Sequence, residues 1–182
     1  DWSSRYPEQP FLSHLCLPGS VSQEDVARSG PTDYTWTSSG ANVPAHPDPR
    51  TPTNGMNPNT HLDIDPELCG EPVELDEGFA SVRFEATERM AVDERGLVHG
   101  GFVFGLADYA AMLAVNDPNV VLGSAEVRFK APISVGEAVT AEANVTSRDG
   151  AKHVIEASAT VGERTVFEGT FTAFVLDEHV LD

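Results

Sequence analysis

His99-Gly100-Gly101-Phe102-Val103-Phe104-Gly105-Leu106-Ala107-Asp108-Tyr109-Ala110-Ala111-Met112-Leu113-Ala114 is the stretch that decides how this chain folds. Apolar residues cover nearly every side of its helical projection, which predicts a buried helix from about Gly100 to Asn116. A Gly pair opens the stretch and one acid, Asp108, sits at its middle. Burying an unpaired carboxylate is costly. A Gly-rich helix start, by contrast, offers free backbone N–H groups to an anion. The two features together point to a site that stabilises an oxyanion and works on an acyl carbon.

On either side the pattern changes to strands. Val73–Leu75 and Phe79–Glu85 flank the turn Asp76-Glu77-Gly78, and a loop from Ala91 to Val98 leads into the helix. Pro118 pushes the residue before it out of helical geometry, so Asp117-Pro118-Asn119 ends the helix. Four alternating runs follow: Val120–Lys130, Ala138–Ser147, His153–Val161 and Thr165–Leu176. Asp149-Gly150 is a hairpin signal. Only a curved sheet wrapped around the helix supplies enough surface to bury it. The expected class is therefore α+β, with a long central helix inside a mostly antiparallel sheet of five or six strands.

Residues 1–58 read differently. Nine of the 13 prolines lie there, no regular period survives, and both tryptophans are included. The expectation is a Pro-rich arm over 1–58, flexible or anchored by its aromatics, followed by a domain over 59–182. The arm shows no chemistry.

The 182 residues carry a net charge of −18. The acids are spread: residues 56–182 hold 23 Asp and Glu against 8 Lys and Arg. Such a surface argues against nucleic-acid partners and against anionic membranes. No run approaches a transmembrane helix, and the first residues show no basic-then-apolar leader. Cys16 and Cys69 form neither metal-type spacing nor a disulfide framework, which fits a reducing cytoplasm.

Val98-His99-Gly100-Gly101-Phe102-x-Phe104-x-Leu106-Ala107-Asp108, with Phe129-Lys130-Ala131-Pro132 and Val135-Gly136-Glu137 after it, resembles the hotdog-fold acyl-CoA thioesterases. The likeness is to the phenylacetate-degradation (PaaI-like) branch of the 4-hydroxybenzoyl-CoA thioesterase superfamily, over roughly residues 60–176. It implies that the Gly100 N–H polarises a thioester carbonyl and that Asp108 activates water or attacks the carbonyl. It also implies that Asp93 stands where the family commonly has Asn, and that Ser124 lies where some relatives orient water. A carboxylate can serve as base or nucleophile, and a helix N-terminus supplies fixed donors for an oxyanion.

Gly100 and Asp108 lie eight residues apart, or about 12 Å along one helix. One carbonyl cannot reach both, so joint action requires two copies of the helix. The expectation is a homodimer with antiparallel central helices, or a homotetramer, with the site across the interface. The substrate would be an aryl- or short- to medium-chain acyl-CoA, with coenzyme A entering as part of it and with neither metal nor other cofactor. Gly101, Phe104, Gly105, Ala111 and Met112 share the Asp108 face and suggest a roomy acyl pocket. Arg128 and Lys130 on one strand face, with Arg95 and Arg148, are the candidate cations for coenzyme A phosphates.

Each assignment has a plainer counterpart. Asp108 can be a buried acid satisfied by a hydroxyl or backbone group. His99 can shape the helix entry, or orient the loop or substrate. Asp93 can be an ordinary loop residue, and Tyr109 reads as packing. Two other functions share the scaffold: an acyl-CoA-binding sensor without catalysis, whose relatives lack the helix acid, and a hydratase or lyase acting on an enoyl thioester.

Overall fold

The computed structural model describes residues 56–181. The expected arm falls on residues 1–55 almost entirely and so lies outside the described residues. Within them the order is α1 (Pro66–Cys69), β1 (Glu71–Asp76), β2 (Phe79–Glu85), α2 (Gly100–Val115), β3 (Val120–Phe129), β4 (Ala138–Asp149), β5 (Lys152–Val161) and β6 (Arg164–Val175). A single 3-10 turn, Glu88–Met90, lies between β2 and α2.

The six strands form one sheet in the order β1-β2-β4-β5-β6-β3, and each neighbouring pair is antiparallel. The central helix lies on its inner face, mainly against β2, β4 and β5. Small side chains permit that closeness. Ala80 pairs with Ala143, and Ala143 with Ala157; Val82 pairs with Ala141, and Ala141 with Ala159. Ala107, Ala110, Ala111 and Ala114 answer them from the helix, all sealed from solvent. Toward β6 the gap is wider and rings fill it. Phe104 reaches from α2 to Phe167 and Phe171, with ring centroids 6.5 and 5.8 Å away.

Local chemistry accounts for the limits of α2. The His99 side chain caps its start, and Asn116, in the left-handed conformation, ends it. The helix therefore stops one residue before the Asp117-Pro118 pair expected to break it. The β4–β5 hairpin is shifted by one residue as well. Asp149 pairs with Lys152, so the two-residue turn is Gly150-Ala151, with Gly150 at φ +57°.

The loop before α2 is pinned rather than loose. Val92 N–H donates to Leu97 O at 2.8 Å, Val98 N–H to Ile133 O at 2.9 Å, and Val135 N–H to Gly96 O at 2.9 Å. The first closes the loop on itself, and the other two tie the helix entry to the turn that follows β3.

Candidate functional site

Three backbone N–H groups open α2, and each meets a different fate. Gly101 N–H donates to His99 Nδ1 at 2.9 Å. Phe102 N–H donates to His99 O at 3.1 Å. Gly100 N–H has no acceptor among the described residues. It borders a cavity of about 300 Å³ lined by Val98, Gly100, Val103, Phe129, Ile133 and Val166, among others. A Cβ on residue 100 would come 2.9 Å from the Phe129 ring, so glycine keeps the approach to this N–H open. A free N–H at the positive end of a 16-residue helix is an anion-binding donor.

Asp108 lies two turns further on. Its Oδ1 is buried and has no hydrogen-bond partner, the one such side-chain atom among the described residues. Burial pushes its carboxyl up from 3.8 to about 6. The plainer expectation, an acid satisfied by a hydroxyl or a backbone group, is not met at this oxygen. Cys69 is close enough for its thiol to be pushed up by burial and by the charges of Asp65 and Asp108.

On the same side of α2, Gly101 is exposed, while Phe104, Gly105 and Asp108 are half-buried. No atom lies within 4 Å of where a Cβ on Gly105 would sit. Ala111 and Met112, expected to continue this face into a pocket, are 0% and 1% exposed and belong to the core. The helix rotates about 100° per residue, and by the third turn the sheet covers what the first two leave open.

A family model described as the thioesterase superfamily matches residues 95–168, the span from the helix entry to the middle of β6. Over that span the chain matches the thioesterase superfamily. Its architecture is the hotdog fold. An uncharacterised Pyrococcus horikoshii protein is 50% identical, with a TM-score of 0.69, over 70% of this chain and 98% of that one. The PaaI protein of the E. coli phenylacetic acid degradation operon is 26% identical, with a TM-score of 0.57, over 62% and 83%. Among curated relatives, a methylthioribose-1-phosphate isomerase of Aquifex aeolicus is 48% identical over 123 residues. A transcription factor FapR of Caldanaerobacter subterraneus is 30% identical over 116. The chain spans 27% and 58% of these two proteins.

Against this thioesterase-superfamily frame, the remaining candidates separate. Asp93 Oδ1 accepts from the N–H groups of Arg95 and Leu97 at 3.0 and 3.1 Å, so it shapes the turn before the helix. Ser124 is exposed on β3, an edge strand, paired with Thr172. Lys130 borders the Gly100 cavity and pairs with Glu168 at 3.1 Å. Arg128 does not join it there. It lines a depression on the sheet's outer face, with Glu126, Glu142, Glu156 and Glu168. Arg148 is paired with Glu77 at 3.3 Å. Tyr109 is 5% exposed, its ring 6.0 Å from that of His61 and its hydroxyl pushed up to about 12 by burial, which fits the packing role.

Sequence reasoning missed the lead-in. Residues 57–69 run along α2, bringing His61 to Tyr109 and Cys69 to the neighbourhood of Asp108. Nothing in the spacing signals a contact across 39 positions. The described residues include no cluster of metal-binding side chains, and no helix among them is long and apolar enough to cross a membrane.

Proposed function

We propose that this chain hydrolyses an acyl-CoA to the free acid and coenzyme A. Water adds to the thioester carbonyl carbon, the C–S bond breaks, and the sulfur leaves as a thiol. Asp108 directs the attack, as base toward water or as nucleophile toward the carbonyl. The Gly100 N–H holds the developing oxyanion. The observation that carries this reading is the unpartnered, buried Oδ1 of Asp108 on the helix whose first N–H is also free. An acid held near pH 6 is largely ionised at neutral pH and still basic enough to take a proton.

Two copies are needed. Gly100 of one and Asp108 of the other would face one carbonyl, because a single helix separates them by about 12 Å. The half-open face of Gly101, Phe104, Gly105 and Asp108 supports a neighbour there, as do Leu97 and Phe129, 40% and 57% exposed. A homodimer, alone or doubled into a tetramer, meets this need. The acyl group would lie by Phe104 and the open space at Gly105, which suits an aryl or short- to medium-chain substrate. Lys130, which borders the cavity, is the better placed cation for a coenzyme A phosphate, on exchanging its Glu168 partner for the phosphate; Arg128 lines the outer depression only.

The test is thiol release from a panel of aryl and aliphatic acyl-CoAs by the wild type and by Asp108→Asn. Hydrolysis lost in a variant that still binds is the expected result. A second reading, an acyl-CoA sensor, is favoured by the likeness to FapR transcription factors. Tight binding of one panel member with no turnover by the wild type would establish it and overturn the enzyme.

A further inference from the structure

The start of α2 is capped by a residue that seldom has this task. N-caps are usually Ser, Thr, Asp or Asn, whereas here the imidazole of His99 folds back onto its own chain and accepts the Gly101 N–H at 2.9 Å. The arrangement is built from several sides. His99 N–H is anchored to Met90 O at 2.9 Å. The Phe102 ring meets the imidazole edge-on, with centroids 6.3 Å apart. A Cβ on residue 101 would come 2.7 Å from Nδ1, so only glycine there lets the ring lie down. The two glycines thus serve different neighbours: Gly100 leaves room beside Phe129, and Gly101 leaves room for His99.

Building on the role given to Gly100 above, we infer that His99 is a positioning residue that selects the oxyanion donor without touching substrate. By occupying the Gly101 N–H, while Phe102 N–H is taken by His99 O, it leaves the Gly100 N–H as the unused donor beside the cavity and holds that turn against fraying. Because Nδ1 accepts, the ring proton sits on Nε2 and the cap is uncharged. An Asp cap would make the same bond but set a negative charge one residue from the developing oxyanion. A neutral acceptor closes the turn without opposing the reaction.

The experiment compares wild type with His99→Asn, His99→Asp and His99→Ala, measuring kcat, KM and Tm on the acyl-CoA cleaved fastest. Asn keeps a neutral acceptor and should hold kcat within about threefold of wild type, while Ala lowers kcat about tenfold or more with KM within about twofold. Asp should give the highest Tm of the three variants, through the helix dipole, yet turn over more slowly than Asn. That crossing of stability and activity is what a purely structural cap does not produce. The proposal is overturned if Asn is as slow as Ala, if Ala is as fast as wild type, or if activity follows the Tm order. A wild type that releases no thiol brings down the Gly100 reading and this proposal together. An active wild type with Asn as slow as Ala brings down this one alone.

Discussion

The two halves of α2 are alike in composition and opposite in circumstance. From Tyr109 to Ala114 every side chain is at most 5% exposed, pressed into alanine-lined strands. From Gly100 to Asp108 one side stays open, with an unused N–H at one end and an unpartnered carboxylate oxygen at the other. The C-terminal half anchors the fold. The N-terminal half leaves polar groups unsatisfied within the chain, an arrangement that a stability-driven core would not keep.

The contrast is broken most severely at Asp108. Asp108→Asn should lower thiol release by about 10²–10⁴-fold, read as kcat on the best acyl-CoA. The same change should stabilise the fold at neutral pH. A carboxyl whose folded value is raised favours folding while protonated, and that advantage is lost as pH rises through about 6. With each pKa unit worth about 1.4 kcal/mol, ionised Asp108 costs about 3 kcal/mol at pH 7. Denaturant titrations should show the variant ahead by 1–3 kcal/mol, roughly, at pH 7 and level with wild type below pH 4. Wild-type kcat should climb with pH through about 6 and then level off. A flat pH–rate profile with an active Asp108→Asn would remove the acid from the chemistry.

Gly100→Ala sharpens the comparison from the other end. The added methyl displaces Phe129 into the cavity beside the N–H. Expected is a fall in kcat of about 10²-fold, with stability changed by less than about 1 kcal/mol because the ring is half in solvent. In the closed half the pattern reverses. Leu113→Ala, at 0% exposure, should cost about 2–5 kcal/mol in denaturant titration and leave kcat at 15 °C within about twofold. The smallest effect belongs to Arg128→Ala, whose side chain faces the outer depression: KM for acyl-CoA should move less than about twofold. A large rise in KM would return Arg128 to the substrate site.

The fold was legible because two periods alternate cleanly. Strands β2 to β6 lie within two residues of where alternation puts them, and the helix within one. What was hidden has a common cause. When nearly every side of a helix is apolar, little asymmetry tells which side faces the sheet, so Ala111 and Met112 were indistinguishable from Gly105. Parity along β3 puts Arg128 on one face of a sheet without saying which face the helix takes. The Asp93 turn was equally out of reach: an Asx turn and a catalytic carboxylate use the same residue. Gly100 and Asp108 could be singled out as a Gly-rich helix start and a lone acid, with roles implied by the resemblance, but that one N–H is spent and its neighbour free is visible only in coordinates.

Asn116 serves two segments at once. Its backbone ends α2, while its side chain accepts the Asn59 N–H at 2.7 Å and donates to Asn57 O at 3.1 Å. The first described residues are thereby held by a residue 57 positions downstream. Truncations that start past residue 60 would keep every strand among the described residues and still remove the two bonds that hold residues 57–59 to the helix end. Asn116→Gly would retain the left-handed stop while cutting residues 57–59 loose, which separates the ending of the helix from the tethering of the segment beside it.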